Sequence, residues 1–239
     1  MFALIMAGGL GTRLREMHPD LPKLLVPLAN RPFLEWQLDW MMAGGITRVH
    51  IAGGHLGQQI NEYIEKHPRA GLSISFSAEP VPLGTAGAPK FVEKHLPEDT
   101  FFSINGDTLL PSVDFMLMHK RGLNSGIVAC VAVSPIEHAG RYGTVIMDED
   151  GLVTGFREKS VNTAGWVNGG VCLMKKEILE YIETEKKVSL ESEIYPKLVQ
   201  ENLISAFKTE PPLLDMGTPD GIEAMEKFLH NYPEFKEVK

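Results

Sequence analysis

Cysteine is scarce in this chain: 239 residues carry two, Cys130 and Cys172. Each sits inside an apolar run with no Cys or His nearby at ligand spacing, so neither a disulfide framework nor a zinc site organises the fold. Two buried free thiols in a reducing compartment are expected instead. Basic charge is also in short supply, with 23 Lys and Arg against 31 Asp and Glu and a formal net charge of −8. A nucleic-acid surface needs a basic footprint, so the expected partners are small molecules and not nucleic acid. No apolar run approaches the ~20 residues of a membrane span, and the first residues lack a basic segment followed by a cleavage site. A cytoplasmic protein with no membrane partner is expected. Internal repeats, low-complexity tracts and an obvious linker are missing too. With 44% hydrophobic residues, the chain can bury one sizeable core, and a single domain over 1–239 is expected.

Two further absences concern motifs. The apolar run Phe2 to Met6 reads as a first buried strand and is followed by a glycine-rich turn, Ala7-Gly8-Gly9-Leu10-Gly11-Thr12-Arg13-Leu14. A dinucleotide fingerprint would need a third glycine where Leu14 stands. A P-loop would need Gly-Lys-Ser/Thr after its spacer, and none is present. What is there still suits phosphate. A glycine turn leaves backbone N–H groups open to close approach, and Arg13 and Lys23 can neutralise a triphosphate. Ala7, Gly8, Gly9, Gly11, Thr12, Arg13 and Lys23 are therefore candidate nucleotide-binding residues.

Along the chain, strand-like and helix-like segments alternate through the first half, which predicts βαβ units and a largely parallel sheet covered on both faces. Strands are predicted at Phe2 to Met6, Arg48 to Ala52, Leu72 to Ser77 and Thr100 to Ile104. Helices are predicted at Pro32 to Ala43, Gly57 to Lys66 and Thr85 to His95. The second half reads as a strand from Ser125 to Val133, then a hairpin of Thr144 to Met147 and Leu152 to Phe156 around an acidic turn ending in Gly151. A strand at Val167 to Met174, a helix at Ser189 to Val199, a strand at Ile204 to Lys208 and a closing helix from Thr218-Pro219 to about Leu229 complete it. The fold class is α/β: a Rossmann-like mixed, mostly parallel sheet sandwiched by helices, with a β-rich excursion near 134–175.

Gly8-Gly9-Leu10-Gly11-Thr12-Arg13-Leu14 followed by Pro22-Lys23 resembles the signature of the sugar nucleotidyltransferases. These enzymes join a sugar 1-phosphate to a nucleoside triphosphate and release pyrophosphate. The resemblance continues through Pro82-Leu83-Gly84-Thr85-Ala86-Gly87, Asn105-Gly106-Asp107, Glu158-Lys159, Asn168-Gly169-Gly170 and Asp215-Met216-Gly217-Thr218-Pro219, six motifs in the family's order over nearly the whole chain. Departures are small: Glu16-Met17-His18 replaces the usual Pro-Leu-Thr, and Leu24 stands where a second proline is common. The resemblance implies a nucleotide-binding half (1–133) and a sugar-binding half with closing helix (134–239).

Such a reaction needs no general base, because a phosphate monoester is largely ionised at neutral pH, its second pKa being about 6. Catalysis falls to positioning and charge neutralisation, which fits motifs of lysine, arginine, aspartate and glycine without a Ser-His-Asp set. Asp107 follows a strand directly and should stand at the carboxyl edge of the sheet, where open α/β sheets bind ligands. With Asp215 it is the candidate ligand pair for Mg²⁺, a cation satisfied by one or two carboxylates plus phosphate oxygens; a capping role competes at Asp215. The resemblance implies that Arg13 holds the leaving pyrophosphate, Lys23 the α-phosphate region and Lys159 the sugar phosphate. Glu158, Asn168, Gly169, Tyr142, Gly143 and the Asn105 motif would then line the sugar side. The alternative reading of Asn168-Gly169-Gly170 is a β-bulge.

Gly84 and Thr85 open a helix whose small residues would let a flat base lie against the backbone. Glu79 stands where thymidylyl-transferring relatives have glutamine. A carboxylate only accepts hydrogen bonds, which suits the N1–H and N2–H₂ edge of guanine and repels the carbonyls of thymine or uracil. GTP is thus the favoured triphosphate. Short length, Arg141-Tyr142-Gly143-Thr144 and Val167-Asn168-Gly169-Gly170 look most like the heptose 1-phosphate guanylyltransferases. A mannose 1-phosphate guanylyltransferase, a thymidylyl- or uridylyltransferase, and a silent nucleotide-sugar sensor stay open as alternatives, as does a homo-oligomer.

Overall fold

The computed structural model describes residues 1–9, 18–97, 99–124, 126–137, 143–157 and 164–231. One nine-stranded sheet runs through both halves of the chain. Its strands in chain order are β1 (Phe2–Ala7), β2 (Arg48–Gly53), β3 (Ser73–Ala78), β4 (Thr100–Asn105), β5 (Ala129–Ile136), β6 (Thr144–Met147), β7 (Val153–Arg157), β8 (Gly165–Lys175) and β9 (Ile204–Lys208). In the first half β4, β1, β2 and β3 lie side by side, all parallel. The second half joins through β8, which pairs antiparallel with β4 on one side and β5 on the other. β9 then adds parallel to β5, and β6 and β7 form the expected hairpin. The acidic turn closes that hairpin because Gly151 takes φ +86° and Asp148 Oδ1 accepts the Leu152 N–H at 2.8 Å.

Both faces of the sheet are covered, as a central parallel sheet requires. Along β1 the side chains alternate between two cores, Ala3 and Ile5 on one face, Phe2 and Leu4 on the other. The first core is packed by α1 (Phe33–Ala43) and α6 (Pro219–Asn231), and the second by α3 (Gly84–Phe91) and α5 (Tyr195–Gln200). α2 (Gly57–Lys66) and α4 (Phe115–Arg121) are the remaining α-helices among the described residues. The mixed sheet between helix layers is the architecture expected from the sequence.

Several local expectations are corrected. The helix predicted to reach His95 ends at Phe91 and resumes as a 3₁₀ turn over Glu93–His95, with Pro89 inside it removing a backbone donor. The Ser189 to Val199 segment is a π-turn, Leu190–Ile194, leading into α5. Pro196 at the start of α5 cannot donate to the preceding turn, which widens accordingly. The strand expected from Ser125 begins at Ala129, and Ser125 itself lies outside the described residues. Unforeseen are α4, whose N-cap Asp114 accepts the Leu117 N–H at 2.8 Å, and a two-residue ladder pairing Thr108–Leu109 with Leu214–Asp215. That small ladder brings Asp107 and Asp215 together.

Candidate active site

Because β4, β1, β2 and β3 are parallel, their carboxyl ends open on one side of the sheet, and a cavity of about 420 Å³ lies there. Ala7, Gly8, Gly9, Lys23, Glu79, Gly84, Thr85, Asn105 and Asp107 all line it. Backbone packing at its floor is close. A Cβ at Gly54 would stand 2.8 Å from the Gly8 carbonyl, and one at Gly8 would collide with the Glu79 carboxylate.

Glu79 follows β3 and is 8% exposed. Its Oε2 accepts the Leu83 N–H at 3.1 Å, whereas Oε1 is buried without a hydrogen-bond partner. Burial pushes its carboxyl pKa up, and the Leu83 N–H partly opposes that. An acceptor of this kind, held in a nucleotide-sized cleft, is costly unless a ligand donor completes it.

Lys23 sits on a 3₁₀ turn, Lys23–Leu25, started by Pro22. Leu24, the departure from the second proline, is buried in the core and anchors the turn. Lys23 Nζ pairs with Asp107 Oδ2 at 2.6 Å. Asp107 Oδ1 accepts from the Thr108 hydroxyl at 3.1 Å, and its carbonyl accepts the Met216 N–H at 2.9 Å. Asp215, opposite Thr108 in the small ladder, accepts the Gly217 N–H through Oδ1 at 2.8 Å. The first turn of α6 is capped instead by Thr218, whose Oγ1 accepts from Gly221 N at 3.1 Å. Asp107 lines the cavity and Asp215 is not among its lining residues, but the ladder sets the Asp215 backbone beside the Asp107 turn. Mg²⁺ keeps waters and takes substrate oxygens, so one or two carboxylates are enough to hold it. Among the described residues no group of three His, Cys, Asp or Glu could hold a metal by itself.

Around α3 the small residues have a packing role. Gly84 has φ +78°, and a Cβ there would stand 2.5 Å from the Val188 carbonyl; one at Gly87 would stand 2.8 Å from the Lys186 carbonyl. The Ala86 N–H donates to that Val188 carbonyl at 2.9 Å, and the Val188 N–H donates back to Leu83. Thr85, read from the sequence as a nucleotide contact, spends its hydroxyl elsewhere: it donates to Glu191 Oε2 at 2.7 Å and accepts the Leu190 N–H at 2.8 Å. This seam brings Lys187, an exposed cation of the second half, to the wall of the cleft. Lys187 and His55, which also lines the cleft, escaped sequence reading, since a lysine in the run Lys186-Lys187 looks like any solvated charge.

On the other side, a narrow cleft is lined by Asn105, Asn168, Gly170, Glu191 and Tyr195. Asn168-Gly169-Gly170 is a bulge in β8, where the register against β5 shifts between Asn168 and Cys172. Asn168 Oδ1 accepts the Gly170 N–H at 2.9 Å. Gly170, at φ +72°, packs against Asn105 and Thr108, and Gly169 packs against Leu110 and the Ala132 carbonyl. Gly143 abuts the Arg157 carbonyl at the end of β7; a Cβ there would lie 3.3 Å from it. Gly11, Thr12, Arg13, Tyr142, Glu158 and Lys159 lie outside the described residues. No helix among the described residues is long and apolar enough to cross a membrane.

Comparison with known proteins agrees with this geometry. Residues 2–231 match the Nucleotidyl transferase family. The D-glycero-alpha-D-manno-heptose 1-phosphate guanylyltransferase of Aneurinibacillus thermoaerophilus is 34% identical over 232 residues, 97% of this chain and 100% of that protein. Its counterpart from Campylobacter jejuni is 35% identical, covering 92% of this chain and 96% of that one. Among solved structures, HddC from Yersinia pseudotuberculosis complexed with GMP-PN superposes with a TM-score of 0.83 at 30% identity, over 95% of this chain and 99% of that one.

Proposed function

The chain belongs to the nucleotidyl transferase family, and from that premise we propose that it joins D-glycero-D-manno-heptose 1-phosphate to GTP, giving the GDP-sugar and pyrophosphate. The observation that carries the choice of base is Glu79 with its buried, unpartnered Oε1 in the cleft. Guanine offers adjacent N1–H and N2–H₂ donors to such a carboxylate, whereas thymine and uracil present carbonyl oxygens. Relatives at 34–35% identity that carry the heptose guanylyltransferase name support the choice of sugar.

In the reaction an oxygen of the sugar phosphate attacks the α-phosphorus of GTP in line. The new O–P bond forms as the bond to the β-phosphate bridging oxygen breaks, and the electron pair leaves with pyrophosphate. Arg13 is assigned to the departing pyrophosphate, Lys23 to the α-phosphate and Lys159 to the sugar phosphate. Glu158, Asn168, Asn105, Tyr142 and Gly143 are assigned to the sugar side. The Lys23–Asp107 pair then describes the resting site: an arriving triphosphate gives Lys23 a stronger anionic partner and leaves the Asp107 carboxylate for the metal. Asp107 and Asp215 would hold Mg²⁺, which when bound offsets charge on the reacting phosphates. Proton transfer is not required, and positioning with charge neutralisation carries the catalysis. The two buried free thiols fit a reducing compartment, and the cytoplasm is proposed.

The test is pyrophosphate release over a grid of GTP, ATP, CTP, UTP and dTTP against heptose, mannose and glucose 1-phosphates. GTP with the heptose phosphate should be the most active cell. Greatest activity with mannose 1-phosphate would move the assignment to that guanylyltransferase, and preference for dTTP or UTP would refute the guanylyl reading. Activity in no cell would favour a nucleotide-sugar sensor.

A further inference from the structure

Gln37 lies in the middle of α1, in the run Phe33-Leu34-Glu35-Trp36-Gln37-Leu38, and is 0% exposed. Its Nε2 donates to two backbone carbonyls, those of Asn105 and Thr108, each at 2.9 Å. These carbonyls flank the turn that carries Asp107. Both partners are acceptors, so the amide must present its nitrogen to them, and Oε1 is left buried with no hydrogen-bond partner. Burying an unpaired carbonyl is unfavourable, and an apolar side chain of equal length would avoid it. A residue serving only to fill this space would better be methionine or leucine.

We infer that Gln37 is a positioning residue for catalysis: from α1 it straps both ends of the Asn105–Thr108 turn and so fixes the Asp107 carboxylate toward the reacting phosphates. The inference rests on the role given above to Asp107. The remaining restraints on Asp107 come from elsewhere: the Met216 N–H on its carbonyl, the Thr108 hydroxyl on Oδ1 and Lys23 on Oδ2. If Lys23 turns to the triphosphate, the strap from α1 becomes more important. Gln37 touches neither substrate in this reading and acts through the turn alone.

Gln37→Met keeps the volume and removes both donors. It frees two carbonyls and abolishes one orphaned Oε1, so the melting temperature should fall modestly and kcat is compared well below the unfolding transition. The turn loses its fixed position, and a displacement of about 1 Å at a reacting group can lower rate by ~100-fold. A fall in kcat of about 10- to 100-fold is expected, with KM for GTP little changed because the base contact at Glu79 is untouched. Hydrogen–deuterium exchange of the ligand-free protein should rise at residues 106–109. Gln37→Asn, one methylene too short to reach, is a second variant that carries the same test should the methionine variant not fold. Asp107→Asn runs beside them. An unchanged kcat in the Gln37 variants with Asp107→Asn inactive overturns the inference alone; so does a lowered kcat without faster exchange at 106–109. Wild-type turnover in Asp107→Asn overturns the reading of the site, and the inference with it.

Discussion

Replacing Glu79 with glutamine changes its hydrogen-bonding character and almost none of its volume, which isolates the proposed base contact. In the protein Oε2 is committed to the Leu83 N–H at 3.1 Å, and Oε1 is the buried acceptor without a partner. An amide can satisfy only one of these demands. If its oxygen stays on Leu83, its NH₂ faces the guanine donors; if it flips, its NH₂ faces the Leu83 N–H. Either arrangement loses one bond to a charged acceptor, about 1.5–3 kcal/mol, which at 1.4 kcal/mol per decade is roughly 10- to 100-fold in kcat/KM for GTP. The wild type should prefer GTP over UTP and dTTP by at least ~100-fold, and Glu79→Gln should narrow that ratio by relieving repulsion of the pyrimidine carbonyls. Stability supplies a second reading. The folded carboxyl has a raised pKa, so the folded state binds its proton more tightly, and the associated stability is lost as pH rises through that raised value. Glutamine does not titrate, so the variant should gain stability over wild type at pH 7 and less of it near pH 4. Steady-state kinetics with the three triphosphates and melting curves at both pH values check this. An unchanged triphosphate ratio in the variant would refute the assignment of Glu79 to the base.

The carboxylates and two buried polar contacts lead to further expectations. Asp107→Asn and Asp215→Asn should each keep the fold by circular dichroism and lower kcat at saturating Mg²⁺ by at least ~100-fold, about 2.7 kcal/mol of transition-state stabilisation; near wild-type turnover in either variant removes that residue as a required ligand. Thr85→Val should lower unfolding free energy in urea by about 1–3 kcal/mol by stranding the Leu190 N–H, with recovery in Thr85→Ser; a raised KM for GTP at unchanged stability would mean that Thr85 touches the nucleotide. His50 is fully buried between the Ser75 and Ser77 hydroxyls and stacked on His95, and burial pushes its pKa down to about 4. The unfolded chain therefore binds its proton first, and stability should fall as pH drops from about 6.5 to about 4, by up to about 3 kcal/mol; denaturant titrations of His50→Gln should lack that slope.

Local chemistry was enough to read much of this protein. The alternation of strand and helix segments, the glycine turn after β1, the acidic hairpin turn and the Thr218-Pro219 helix start are written in neighbouring residues, whose backbone preferences act over a few positions. Even Glu79 could be singled out, because a carboxylate and an amide differ in what they accept and donate wherever they stand. Its burial could not be read that way: the β1–β2–β3 pairing carries the Glu79 carboxylate across the sheet onto Gly8, a residue far away in the chain. The same limit hid the Lys23–Asp107 pair, the ladder that sets Asp215 opposite Thr108, the arrival of Lys187 at the cleft, and the reach of Gln37 to the Asp107 turn. A lone glutamine in an apolar helix and a lysine in a charged run carry no local mark of their partners. Which groups meet is decided by parallel pairing and by the crossing of distant segments, energies that belong to the packed whole and to no single stretch of sequence.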